Sequence, residues 1–390
     1  MVWPWAASPF SGPKWLVAGA GAALLLAPVL RDLRPPGPVA IAAIASLAAS
    51  ALSWVVSSGA APGWMLAGPL LVAAASLAAP PLPWRALIAS GGLAAGVVIF
   101  QALGLDPLAR FGPEADGQRL ALYGTLGNPD FVASVLGVTA PLTLVATSQA
   151  RRGWLALGVA SAGAQVVALA LLRSFASVLA LAAAISVVVL FPRAGTGRRW
   201  LVLTLGACLV IAAVPLASRP GGTVLRGRWY LVSTAAPHVA DAPWLGQGPG
   251  AVVLHWPGWE LERWRGRCGA DPACVAAHPE ARFVGVQEHL HDDWLERLLE
   301  AGVLGLVALL ALFGTAFVAA VRSGTLEGLG VACGLASLAA RATVDFPLQR
   351  PADLVLLGLL CGAASGLDRR DFVDAPRAIP GDSVAEGRVQ

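Results

Sequence analysis

Two kinds of residue in this chain are suited to chemistry: a histidine at the edge of an apolar run, and a small set of arginines. The histidine is His291, in VQEHLHDDWLERLLEAGVLGL, where Leu290, Trp294, Leu295 and Leu298 recur at three- and four-residue intervals. That period predicts an amphipathic helix lying at a membrane surface and running straight into a span. A neutral imidazole there accepts a proton from a hydroxyl, because its unperturbed pKa of about 6.5 keeps it near working pH. Glu288, one turn earlier, is placed to orient the ring. The alternative is a polar interfacial histidine that only hydrogen-bonds. His289 falls on the other face of that helix, which argues against a metal site built from His289, His291 and Asp293, and no metal or other cofactor is expected.

The arginines are Arg173, between two apolar runs, and Arg219, Arg226 and Arg228, just after a third. Planar guanidinium donors pair with phosphate oxygens in forked geometry, so a pyrophosphate suits this set. Snorkelling or lipid-headgroup pairing is the plainer account of Arg219 and Arg226. Arg173 is different, because an ionisable group with almost no polar turn around it is costly to keep and usually functional. GQGPG at 246–250 has neither a GxGxxG nor a Walker pattern, and Pro249 lacks a backbone donor, so it reads as a tight structural turn. Asn128-Pro129 marks the turn that starts a span, with a supporting role open to Asn128. Cys268 and Cys274 close the short stretch CGADPAC, either as a disulfide in an oxidising compartment or as two free thiols; their spacing is poor for zinc.

The elements that must position these groups are membrane helices. Hydrophobic residues make up 57% of the chain and charged ones 13%, with a mean hydropathy of +0.70, which excludes an ordinary soluble enzyme. No basic stripe with a nucleic-acid motif appears, so a nucleic-acid partner is not expected. At about 20 apolar residues per span, runs near 15–31, 37–57, 64–80, 86–104, 131–147, 154–172, 174–191 and 200–217 qualify, followed by 299–321, 325–343 and 352–367. The expectation is an all-α polytopic membrane protein of about eleven spans, ten to twelve allowing for one uncertain run. Residues 1–217 hold the N-terminal helices, 218–298 one large, partly helical loop, 299–367 the C-terminal helices, and 368–390 a disordered tail. The first run reads as a signal anchor. Arg34, Arg85, Arg152, Arg199, Arg322 and Arg370 fall on one side when spans alternate, which places them in the cytoplasm and the 105–130 and 218–294 segments outside. Within the large loop, Trp229, Trp244, Trp256, Trp259 and Trp264 read as interfacial anchors, above all those of HWPGWELERW, or as a platform for stacking on sugar rings.

Four stretches resemble the O-antigen ligase and polymerase superfamily, bacterial membrane proteins that move lipid-linked glycans: GTLGNPDFVASVL, LLRSFASVLAL, RWYLVSTAAPHVADAPWLGQGPG and HLHDDWLERLLEAGVLGL. The last is similar to that family's H-N-x-x-L-x-x-x-x-E-x-G-x-x-G signature, and together they lie in order over roughly residues 120–310. The resemblance places the family's loop arginine on Arg228 and its catalytic histidine on His291. Phe175 stands after Ser174 where the family commonly has arginine, leaving Arg173 as the neighbouring cation, and Asp292 stands where asparagine is usual. What it implies is a metal-independent, inverting glycosyltransferase of the GT-C kind in the bacterial inner membrane. The donor would be a glycan on polyprenyl (undecaprenyl) pyrophosphate, held by Arg228 and Arg173 with Arg226 and Arg219 nearby. The acceptor would be a hydroxyl on the periplasmic face.

One large loop after eight spans resembles ligases, with lipid A core of lipopolysaccharide as acceptor, more than the two-loop polymerases. A polysaccharide polymerase or a protein O-oligosaccharyltransferase has the same layout. From another class, a small-anion (bicarbonate-like) transporter would place ionisable groups near the bilayer midplane. A non-catalytic scaffold would have no use for Arg228 and His291.

Overall fold

The structure is a computed structural model that describes residues 35–57, 63–108, 122–150, 152–191, 197–217, 222–269 and 271–374. It is helical, with no strand among the described residues. The bundle helices are α1 (Pro38–Val56), α2 (Ala67–Ala78), α3 (Trp84–Ala102), α4 (Pro129–Thr147), α5 (Arg152–Leu172), α6 (Phe175–Leu190) and α7 (Gly197–Ala217). After α8 (Gly222–Ala235), α9 (Ala251–Cys268) and α10 (Pro272–Ala277), the bundle resumes with α11 (Asp293–Arg322), α12 (Leu326–Ala342) and α13 (Pro351–Asp374). Every apolar run read from the sequence after the first falls on one of these helices. The run near 15–31, Arg219 and residues 375–390 lie outside the described residues; the first seven residues of the expected tail, 368–374, are not disordered but continue α13. Among the described residues, six helices, α1, α3, α4, α5, α11 and most of α13, are long and apolar enough to cross a membrane.

Local chemistry sets the helix starts. Asn128 caps α4 by accepting the Asp130 N–H at 2.8 Å, and Pro129 follows at the first helical position, where a missing N–H does no harm. Thr325 caps α12 in the same way through the Gly328 N–H. α4, α12 and α13 form the inside of the bundle: α4 packs against α3, α5, α6 and α12, while α12 also meets α6, α11 and α13.

α11 begins later than its periodicity suggests. Asp292 is its N-cap, accepting the Trp294 and Leu295 N–H groups at 3.1 Å each, so His289, Leu290 and His291 belong to the approach and not to an amphipathic helix. One residue, Gly302 (φ 65°, ψ −169°), then breaks the helix. That conformation is essentially closed to residues with a side chain, and a Cβ there would run into the Trp244 backbone. The break leaves four backbone groups without intrahelical partners, and the segment before α9 satisfies them. Gln247 and Gly248 donate to the Leu299 and Glu300 carbonyls (2.7 and 3.0 Å), and the Val303 and Leu304 N–H groups donate to Pro243 and Trp244 (2.8 and 3.3 Å). GQGPG is therefore a structural turn seated on a helix break, and Gly250 N–H also donates to the Glu300 carboxylate at 2.6 Å.

Residues 222–290 build a second, smaller core around Tyr230, Val252, Trp256, Trp264 and Leu290. Here Trp256, Trp259 and Trp264 are buried, and neither the interfacial nor the sugar-stacking reading describes them. The physical reason is that each finds partners inward. Trp256 donates to the Gly285 carbonyl (2.9 Å), Trp264 to the Tyr230 hydroxyl (3.1 Å), and Trp259 stacks on His238. Trp229 and Trp244 are the exposed ones. Cys268 and Cys274 are joined in a disulfide that ties the end of α9 to α10.

Candidate functional site

A cavity of about 740 Å³ lies between α1, α2, α11 and α13. Part of its wall is apolar, from Val72, Leu309, Leu312, Leu354 and Leu357. The rest is polar and ionisable, from His289, His291, Glu296, Arg297, Glu300 and Arg350. Its contacts on α11 run from Asp293 to Leu312, up to about 28 Å of helix at 1.5 Å per residue. An elongated amphiphile matches such a lining better than a small polar solute.

His291 sits on this wall at φ 57°, a left-handed conformation uncommon for a residue with a side chain and frequent at functional turns. Its Nδ1 lies 3.6 Å from Asp345 Oδ1, within ion-pairing range but longer than a hydrogen bond. Asp345 is itself clamped: both Arg341, from α12, and Arg350 (3.1 Å) donate to Oδ2. Burial alone would raise the Asp345 pKa, but Arg350 and Arg341 outweigh it and hold the carboxyl well below the usual carboxylate range. Arg350 also pairs with Asp353 (2.9 Å) and lies between the rings of Phe131 and Phe346, at 4.8 and 5.0 Å. Phe346 in turn meets both histidines, His289 stacked at 4.5 Å and His291 edge-on at 4.8 Å.

His289 is thus on the same side as His291. The expectation that it faces away assumed a continuous helix, and the turn before Asp292 brings both rings to one phenylalanine. Glu296 fastens this turn, taking the Leu290 N–H on one oxygen (2.9 Å) and His289 Nδ1 on the other (2.7 Å). Burial lowers the His289 pKa, but Glu296 more than compensates and the net direction is upward. A folded-state pKa raised above 6.5 means stabilisation that is complete below 6.5 and lost as pH rises through the higher folded value. Thermal unfolding in detergent is therefore expected to show a melting temperature that falls as pH is raised from about 6 to about 9. His289→Gln should flatten that dependence, and an equally steep curve in the variant would remove the pair as its cause.

Glu288 is exposed at the cavity rim; the carboxylate beside His291 is Asp345. Asn128 acts as a helix cap, with no place in the cavity wall. The described arginines that the sequence points to lie outside the lining of this cavity. Arg173 and Arg226 are exposed, Arg228 is half-buried on α8, and none of the three lines this cavity. The reason is that α8 turns its Tyr230 side into the outer core, while Arg173 caps the corner between α5 and α6. At the start of α6 it is Arg341 that reaches in, donating to Ser177 at 2.8 Å. Arg350, Asp345 and Asp353 have a signal in the sequence, since RATVDFPLQRPAD places opposite charges four and three apart between two apolar runs, whereas Arg297 is one charge within an apolar period. Among the described residues, no group of three His, Cys, Asp or Glu side chains is placed to hold a metal ion.

No protein-family model matches the chain, and no curated protein matches it.

Proposed function

We propose that this chain is a membrane glycosyltransferase that moves a glycan from polyprenyl pyrophosphate to an acceptor hydroxyl on the periplasmic face of a bacterial inner membrane, most simply ligation of O-antigen to lipid A core. The observation that carries this reading is His291, backed by the clamped Asp345 carboxylate, on the wall of a cavity that is polar in one part and apolar in another. On this reading the chain has about eleven spans, with residues 218–298 outside. Asp345 favours the tautomer with a proton on Nδ1, so Nε2 accepts the acceptor's hydroxyl proton. The acceptor oxygen attacks the anomeric carbon as the bond from that carbon to the pyrophosphate oxygen breaks. The electron pair leaves with pyrophosphate and the configuration inverts. Pyrophosphate is already a good leaving group, so positioning and electrostatics suffice.

The test is incubation of purified protein with a labelled lipid-linked oligosaccharide and candidate acceptors. A new glycoconjugate supports transfer, and its identity separates ligase, polymerase and protein O-oligosaccharyltransferase. Arg228→Ala in the same assay decides whether the arginine that the resemblance selects takes part. Failure with every acceptor, alongside anion uptake by proteoliposomes holding this protein alone, would support the second reading, a small-anion transporter. That reading is favoured by one observation: buried ionisable groups line a cavity beside a broken helix, a setting transporters use.

A further inference from the structure

Three arginines stand in or beside the cavity, and their charges are compensated differently. Arg341 and Arg350 share Asp345, and Arg350 has Asp353 as well. Arg297, on the wall, has no carboxylate at ion-pairing distance among the described residues. Its Nη2 donates to the Ser46 carbonyl (2.9 Å) and the Ser50 hydroxyl (2.7 Å) of α1, and its Nε lies 3.5 Å from the Gly305 carbonyl. These are neutral acceptors, and no protein acceptor is found for Nη1 among the described residues.

The acidic groups nearby are committed elsewhere. Glu296 holds His289 and the Leu290 N–H, Glu300 holds the Gly250 N–H with Gln349 at 3.4 Å, and Asp293 holds the Leu348 N–H at 2.8 Å. Glu288 stands at the exposed rim. A guanidinium fixed in direction by serines, with Glu300 acting on it only beyond ion-pairing distance and Nη1 still to offer, is prepared for an anion arriving from the cavity. Keeping such a charge between apolar helices is costly unless something uses it.

We infer that Arg297 holds the diphosphate of a lipid-linked ligand, with the lipid chain along the leucines of α11 and α13. The inference rests on the transferase reading for its ligand class and adds a residue to which the family resemblance assigns no role. It assigns Arg297 to binding and leaves proton transfer to His291.

The experiment measures binding of radiolabelled farnesyl diphosphate to the full chain in phosphatidylcholine nanodiscs, with no acceptor present. Arg297→Gln is expected to weaken binding by about 10- to 100-fold, the loss of a charge-assisted contact. Farnesol, which lacks the diphosphate, should bind weakly and equally to both proteins. Arg297→Lys should recover part of the affinity, and it replaces the glutamine variant if that one does not fold; unchanged affinity in the lysine variant would then overturn the fork. Wild-type affinity in a folded Arg297→Gln overturns the inference and leaves the transferase reading standing. No binding even to wild type sinks the lipid-diphosphate donor itself. Equal binding of inorganic pyrophosphate would make this a free-anion site, and displacement by phosphatidylglycerol at equal concentration a headgroup site; either overturns the assignment.

Discussion

Alanine in place of His291 is expected to slow glycan transfer by about 10²- to 10⁴-fold, the usual range for losing a positioned general base. The fold should survive the change. The ring is 36% exposed, its Nδ1 makes no hydrogen bond, and Asp345 keeps both its arginines without it. The substitution also leaves a residue with a Cβ at the same left-handed position, so backbone strain changes little. Initial rates of product formation from the lipid-linked donor, compared at equal melting temperature, give the answer. A purified His291→Ala protein transferring at the wild-type rate would remove the histidine from the mechanism. Farnesyl diphosphate affinity should be nearly unchanged in the same variant, because its role is assigned to the acceptor.

Asp345→Ala should have the largest effect on stability. Arg341 is fully buried and Arg350 nearly so, and Asp345 is the one carboxylate at ion-pairing distance from Arg341 among the described residues. Removing one partner of a buried pair costs about 3–5 kcal/mol, because the charge left behind has lost both its counterion and its water. Arg350 suffers less, since Asp353 remains at 2.9 Å. The prediction is a large drop in melting temperature in detergent, together with loss of transfer. Combining Asp345→Asn with Arg341→Gln, which leaves no orphan charge, should restore much of the stability but not the activity. If Asp345→Ala alone melts like wild type, the clamp does not hold this corner together.

Much of the bundle is legible in the residues because apolar length is the signal that builds it: the runs near 131–147 and 154–172 return as α4 and α5 within two residues. The caps are legible too, since Asn128 before Pro129 is a local device that needs no tertiary information. The approach to α11 misleads because Leu290 and Trp294 satisfy a helical period. Asp292, a strong capping residue, ends that period at the point that decides where His289 points. The clamp around Asp345 is a different case. Its charges are visible in sequence, but the partners come from α4, α6, α12 and the start of α13, and only packing shows that Ser134, Ser177 and Phe131 close around them. The arginines near 226–228 look like anion ligands by composition, and that neither lines the cavity could not be read there, because the Tyr230 side of α8 packs into the outer core, its hydroxyl bonded to Glu260 at 2.7 Å.

The seam between Gly302 and residues 243–250 ties two regions into one register. Inserting a single residue there would slide the strap by about 3.4 Å, moving every donor off its carbonyl and drawing Gly250 away from Glu300. Chimaeras that graft the outer segment from another protein should therefore carry α11 with it through at least Leu304, and joints cut between 243 and 304 should yield chains that insert but do not assemble.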